Sequence, residues 1–462
     1  MTASLPSVTA QRVALLAVIV LAATSAGFAA QAPPPAPFIV VSDDPSGLYP
    51  SGHDIVFTVT PGAGGTAADL ATAAVTVLFN GTAECPVVRS MGAGALTLRV
   101  TPGQPGSYRC DVALPAVPKT APVVVSAGAV VAPEAVRAPV PEPADFDAFW
   151  QGKKAALAAH PFTCEVKPLA DDLRKPIARF EADGYECLVV GVAVPLDGVR
   201  PVQGYLARPK MAKPGGHPAI LHLRAAGVSG NWCIASPWDA MNLAKEYGAI
   251  VLDINAHGLP NDQPKEFYST IEQNELRDYK LQGARSRDSF YFVGMYARLL
   301  RSVDFLCREP AWDQRHLIAM GGSQGGGQAM AIAGLDARVS AVCVAVPAMC
   351  NFSAVLHGST SGWPNPVGSV RGADQAEVAA AVSYCDNVNL AARSKAETLI
   401  LVGLIDQVCP PQGVYAAFNN LTGRKRIIAY PHRGHTTVPK EDLWLGDEAV
   451  VWRDFITHHI AP

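Results

Sequence analysis

Long hydrophobic runs are nearly absent from this chain of 462 residues. The exception, Val13–Ala23, is shorter than the roughly 20 residues that a membrane-spanning helix needs. A surplus of one charge is missing too. The 37 Lys and Arg face 40 Asp and Glu, a formal net charge of −3, and no long basic run occurs. Nucleic-acid binding driven by electrostatics is therefore excluded. There is no CxxC and no Cys/His cluster with zinc spacing, so no metal site is expected. The 40 glycines follow no fixed period, which excludes collagen-like order. No repeat at solenoid or propeller spacing is found. The hydrophobic share of 49% and charged share of 17% are the reverse of a disordered composition. At roughly 100–200 residues per domain, the length corresponds to two or three domains.

What is present begins with a leader. Arg12 precedes the apolar stretch, and small residues follow it (Ala23-Thr24-Ser25-Ala26-Gly27). That order is the pattern of a secretory signal, assigned here to residues 1–31. The expected location is secreted or periplasmic, with no membrane span after signal removal. No cysteine lies near the cleavage region, so a lipoprotein anchor is not indicated. Ten cysteines in an exported chain make some disulfides plausible. Cys85 with Cys110 is the first choice and Cys164 with Cys187 the second; the others read as buried small hydrophobes.

Two proline-rich stretches, Gln31–Phe38 and Ala132–Asp145, can continue neither a helix nor a central strand. Between them the sequence alternates with a period near two, as in His53–Val59, Ala74–Phe79, Ala95–Val100 and Ser107–Leu114, with a tight-turn signal at Asn80-Gly81. Residues 36–131 are therefore predicted to form a small Ig-like β-sandwich and 132–143 a linker. Because this region carries no catalytic cluster, its removal is expected to leave the activity of the rest of the chain on small soluble substrates largely intact. From residue 144 to 462 the texture changes. Apolar runs (Ala219–Leu223, Ala249–Ile254, His316–Met320, Val339–Val346, Thr398–Val402, Arg426–Tyr430) alternate with helical segments (Trp238–Tyr247, Asp288–Cys307, Gly326–Gly334, Gln412–Leu421). Runs apolar on both faces, separated by amphipathic helices, predict a mostly parallel sheet covered by helices.

One of these runs ends in Gly321-Gly322-Ser323-Gln324-Gly325 and passes straight into a helix. A strained strand-to-helix turn with glycines two residues either side of a serine is a nucleophile elbow. Serine needs a base, and the base an orienting carboxylate, in the order Ser, Asp/Glu, His along this fold. Asp406 follows the run Thr398–Val402, and His435 follows Arg426–Tyr430, which makes them the candidate acid and base. His432 is a rival base; Asp336 and Asp386 are rival acids, although Asp386 also reads as a helix-start residue. The oxyanion donors are assigned to the backbone N–H of Gln324 and to the loop Arg224–Gly230, where Ala226 is the first choice and Ala225 the second. The chemistry asks for no cofactor.

The stretch GGSQGGGQAMAIAGLDARVSAVCVAVPAMCNF, with GLIDQVCPP and the loop ending in Gly434-His435, resembles the acetyl xylan esterase/cephalosporin C deacetylase family of α/β-hydrolases. PEPADFDAFW (141–150) and RDSFYFVGMYARLLRSVDFL (287–306) extend the resemblance over roughly 141–460. It implies an α/β-hydrolase fold and serine-dependent removal of acetyl groups from an acetylated carbohydrate substrate. It supports Ser323, Asp406 and His435 as the triad and Gln324 as a donor, and leaves a homo-oligomer open. The chain departs from the family at three places. Asn255-Ala256-His257 occupies the usual Arg-Gly-Gln element, Thr436 replaces a glutamate after the catalytic histidine, and Arg224-Ala225-Ala226 stands for His-Gly-Tyr. His257 is thus a candidate site residue or a structural hydrogen-bonding one. Two other functions compete with a carbohydrate esterase: an esterase of broader range, and a non-catalytic glycan-binding protein with a hydrolase-like body.

Overall fold

The computed structural model describes residues 35–115 and 123–461; the expected leader, 1–31, lies outside them. Alternating apolar residues fold the first part into short strands: β1 (Phe38–Ser42), β2 (Leu48–Tyr49), β3 (Ile55–Pro61), β4 (Ala74–Phe79), β5 (Ala83–Glu84), β6 (Val88–Gly92), β7 (Ala95–Val100), β8 (Gly106–Ala113) and β9 (Val124–Val131). They form two sheets, in the orders β1-β3-β7-β6 and β2-β9-β8-β4-β5. The period of two puts Ile55, Phe57, Val59, Leu96 and Leu98 of one sheet against Val77, Cys110, Val112, Ala127 and Ala129 of the other. Asn80 and Gly81 both adopt positive φ (47° and 78°), and Thr82 N donates to Phe79 O, so a tight turn of the mirror-image kind links β4 to β5.

The second part is built on nine strands: β10 (Cys164–Pro168), β11 (Tyr185–Val192), β12 (Val202–Pro209), β13 (His217–Leu223), β14 (Ile250–Ile254), β15 (Trp312–Gly322), β16 (Ala341–Ala345), β17 (Glu397–Gly403) and β18 (Lys425–Tyr430). Their order is β10-β11-β12-β14-β13-β15-β16-β17-β18. From β14 through β18 every pairing is parallel, while β10, β11 and β12 add an antiparallel flank. The central strands are buried on both faces, which is why they read as continuous apolar runs. The helices Pro237–Tyr247, Tyr291–Leu306, Gln324–Leu335 and Pro411–Asn420 lie at the expected places.

The proline-rich stretch after β9 does not hang free. Asn419 Nδ2 donates to the carbonyls of Pro133 (2.7 Å) and Val136 (2.9 Å), pinning it along the helix Pro411–Asn420.

All ten cysteines are thiols in this structure, against the expected pairs. Sheet register gives the reason for the first pair. Cys110 faces Val77 from β8, while Cys85 N bonds Val77 O from the other side. Two interstrand spacings, roughly 9–10 Å, separate them, and a disulfide spans at most about 7 Å between Cα atoms. In the second pair Cys187 is buried in β11 opposite Ala207, whereas Cys164 is exposed on β10 opposite Val192.

Candidate active site

The elbow at Ser323 follows from its glycines. Ser323 itself holds φ 55° and ψ −121°, a strained backbone for a side chain bearing a Cβ. The sharp turn drives the start of the helix Gln324–Leu335 onto β13. A Cβ on Gly325 would lie 2.1 Å from Leu223 O, and one on Gly321 2.4 Å from the same oxygen. The turn is locked by Ser323 N donating to Ala345 O (3.0 Å) and by Ser323 O accepting from Gly327 N and Ala348 N.

Two further parallel strands bring the remaining groups to the same edge. Asp406 stands just beyond β17 and His435 just beyond β18. His435 Nε2 lies 2.9 Å from Ser323 Oγ, and its Nδ1 2.8 Å from Asp406 Oδ2. Asp406 can only accept, so Nδ1 carries the proton and Nε2 is free to accept the serine proton. The other carboxylate oxygen takes the N–H groups of Val408 (2.8 Å) and Cys409 (2.9 Å), which fixes the buried acid from behind. The Cys409 sulfur lies close to both Asp406 and His435. Burial, reinforced by the Asp406 charge, raises its pKa well above the usual thiol range, so the group rests as a neutral thiol beside the acid.

The rival residues are engaged elsewhere. His432 binds Asp442 and the Val40 carbonyl. Asp336 caps its own turn and pairs with Arg338. Asp386 caps the helix Asn387–Ala391 and accepts from Asn351, Phe352 and Val388 N–H groups; burial still pushes it up to about 6.

The N–H groups of Gln324, Ala225 and Ala226 find no acceptor among the described residues. The loop bearing the two alanines is held from several sides. Trp232 Nε1 donates to Ala226 O (2.9 Å). Tyr279 Oη donates to Gln324 Oε1 (2.7 Å) and accepts from Gly227 N (3.4 Å), tying the elbow to the loop. At its root Arg224 forms a buried pair with Asp253, with Nε 2.8 Å from Oδ1, and Nη1 reaches Asp239 at 2.8 Å. Burial opposes ionisation of Asp253, and Arg224 with His222 more than offsets it, leaving its pKa below the usual carboxylate value.

His257 supports the same loop. It is wholly buried, its Nε2 lies 2.9 Å from Gly227 O and its Nδ1 2.7 Å from Tyr291 Oη. The carbonyl must accept, so Nε2 carries the proton and Nδ1 takes one from the phenol. Burial, with the Arg298 charge, brings its pKa down to about 3, so the ring is neutral. Tyr279 and Asp253 escaped sequence reasoning, which placed Arg224 in the loop but gave it no partner. Tyr279 sits in a polar 3₁₀ turn with no spacing signal, and the Arg224–Asp253 pair joins residues from two strand ends.

A mostly parallel sheet with a serine elbow after the inner strand β15, and a carboxylate and a histidine after β17 and β18, the second and third parallel strands beyond it, defines the α/β-hydrolase class. Within that class the chain belongs to the acetyl xylan esterase (AXE1) family, whose model matches residues 134–452, and it is a carboxylic ester hydrolase. Acetyl esterase Axe7A of Xylanibacter ruminicola is 29% identical over 319 residues, covering 68% of this chain and 69% of that protein. The acetyl xylan esterase from Paenibacillus sp. R4 superposes with a TM-score of 0.56 at 27% identity, covering 71% of this chain and 98% of that one. Acetyl xylan esterase 1 from Thermoanaerobacterium sp. JW/SL YS485 gives a TM-score of 0.56 at 24% identity over 70% of this chain and 97% of its own, and supports the fold. Strands β1–β9 lie before the family match begins.

Proposed function

We propose that this chain is an exported serine esterase that removes acetyl groups from acetylated sugars or polysaccharides such as xylan. The observation that carries the reading is the unbroken Ser323–His435–Asp406 chain, with contacts of 2.9 and 2.8 Å. Family membership supports the acetyl ester as the bond cleaved. The acetylated carbohydrate comes from the resemblance and from the printed names of the relatives. Export rests on the leader pattern, and among the described residues no helix is long and apolar enough to cross a membrane.

In the first half-reaction Ser323 Oγ attacks the acetyl carbonyl carbon as its proton passes to His435 Nε2. Asp406 holds the imidazole in the accepting tautomer and stabilises the imidazolium. The oxyanion takes the N–H of Gln324 at the start of its helix, where the dipole favours negative charge, and an N–H of the Ala225–Ala226 loop. The tetrahedral centre collapses, the sugar oxygen leaves with the proton from His435, and Ser323 carries the acetyl group. Water then gives a proton to the freed Nε2 and attacks the acyl carbon. Acetate departs and Ser323 Oγ recovers its proton.

Acetate release from acetylated xylan and other acetylated glycans, with Ser323→Ala as control, tests this reading. Release by the wild type and loss of at least a thousandfold in the variant is expected. Acetyl and butyryl esters turned over alike, with no release from any glycan, would indicate the broader esterase. A glycan bound without turnover, and no labelling by a serine-directed phosphonate, would indicate the binding protein.

A further inference from the structure

The β1–β9 sandwich meets the hydrolase body at the two loops that carry the acid and the base. Gly128 N of β9 donates to Pro431 O at 2.8 Å, and the next residue, His432, reaches Val40 O of β1 at 2.9 Å through Nε2. Both lie within four residues of His435. Leu404, two residues before Asp406, is buried against Gly47 and Gly128. Those glycines allow the approach: a Cβ on Gly128 would stand 2.4 Å from Leu404 O, and one on Gly47 2.9 Å from its Cδ1. Just past the acid loop, Gln412 accepts from Ser107 Oγ (2.8 Å) and donates to Asn80 O (3.3 Å). The two catalytic loops also bond one another, through Leu404 N to Tyr430 O (2.9 Å) and Ile405 N to Arg433 O (3.2 Å).

His432 is the point where this contact becomes chemically specific. Its Nε2 faces a carbonyl and its Nδ1 faces Asp442 Oδ1 at 2.7 Å; Asp442 Oδ2 also accepts its backbone N–H at 2.8 Å. Both partners of the ring can only accept, so both bonds form together only when the ring is the doubly protonated imidazolium. We infer that the β1–β9 sandwich is a positioning element of the hydrolase site and that His432, bridging Val40 and Asp442, is its fastener. The inference rests on the Ser323–His435–Asp406 reading. It replaces the expectation that residues 36–131 are dispensable for turnover.

The surroundings of His432 fit that role. Burial works against its charge, and the Asp442 bond and charge, the Val40 carbonyl and Glu441 more than offset it, so its pKa lies above the ordinary imidazole value. Arg433 on the same loop is committed to Glu448 and to Thr436 O. Strand β1, FIVVS, brings no ionisable side chain. The fastener is complete below the ordinary imidazole pKa and is lost as pH rises through the raised one. The hydrogen bonds of His432 go to Asp442 and Val40 and not to Ser323 or His435, so its loss changes the placement of the base without removing a reacting group.

The test uses the full chain and 4-nitrophenyl acetate. His432→Leu is expected to lower kcat at least tenfold with KM within twofold. His432→Gln, whose amide can still donate to Val40, is expected to stay within about threefold of the wild type and to lose the decline of kcat at alkaline pH. Asp442→Asn, which removes the charge favouring the imidazolium, should move that decline to lower pH. Should His432→Leu fail to fold, the other two variants carry the test. Wild-type kcat in His432→Leu, or an alkaline profile that neither His432→Gln nor Asp442→Asn changes, overturns the inference. Ser323→Ala separates the two readings: if it is inactive while the His432 variants behave as wild type, only the positioning role fails; if it is active, the triad fails.

Discussion

Replacing His257 by Gln tests whether a buried neutral imidazole holds the oxyanion loop. The ring titrates near 6.5 in an unfolded chain and, through burial and the Arg298 charge, near about 3 in the folded one. The folded state therefore prefers the neutral ring. This contribution is complete above pH 6.5 and is lost as pH falls from there towards 3. At pH 5 the unfolded histidine is mostly protonated and the folded one is not. That gap of about 1.5 pH units corresponds to about 2 kcal/mol, at 1.36 kcal/mol per unit. Gln can donate to Gly227 O in place of Nε2 but cannot titrate. Urea unfolding of the wild type and of His257→Gln at pH 8 and pH 5 isolates the term as a difference of differences. Relative to pH 8, the variant should be about 2 kcal/mol more resistant at pH 5 than the wild type, a midpoint shift of roughly 0.7 M for a urea slope near 3 kcal/mol per M. Its kcat at pH 8 should stay within about threefold. Equal acid sensitivity of the two proteins would refute the assignment of a neutral buried ring.

Other substitutions probe separate parts of the site. Asp406→Asn keeps the shape but favours the wrong tautomer of His435, and kcat should fall by roughly 10³–10⁴-fold with the fold retained; near wild-type kcat would contradict the assigned acid. Gly325→Ala places a methyl group 2.1 Å from Leu223 O, and should depress both Tm and kcat, because the clash is with backbone. Asp253→Ala leaves the buried Arg224 guanidinium with Asp239 as its remaining carboxylate, and should cost about 3–5 kcal/mol in chemical denaturation; a loss below 1 kcal/mol would show that the pair is replaceable.

The parts of the fold legible in the sequence were those that side chains dictate. The elbow could be read because only glycine tolerates Leu223 O at that distance, and the parallel strands because both their faces are apolar. The order Ser, Asp, His along three strand ends then pointed to three residues that the structure brings within hydrogen-bond reach of one another. Strands β10, β11 and β12 are not legible as strands in the sequence. β10 (CEVKP) is exposed throughout and β11 only partly buried, so neither shows a clean period. The attachment of β1–β9 to the catalytic loops left no signature, because the sandwich contributes mainly the Val40 carbonyl, the Gly128 amide and two glycines, and the side chains that join them, His432 and the Ser107–Gln412 pair, lie far apart in the chain with no spacing pattern. The cysteine pairs misled for a related reason. An even cysteine count says nothing about register, and Cys110, Cys187 and Cys343 serve as small apolar residues within strands.

The central claim is that the hydroxyl of Ser323 becomes acylated while His435 takes its proton. Mass spectrometry of peptides from the protein treated with a serine-directed phosphonate tests it most directly. A single adduct on Ser323, formed in step with the loss of acetate release and slowed at least a hundredfold in His435→Ala, is the predicted result. Modification of another serine, or continued turnover by a protein fully labelled at Ser323, would contradict it.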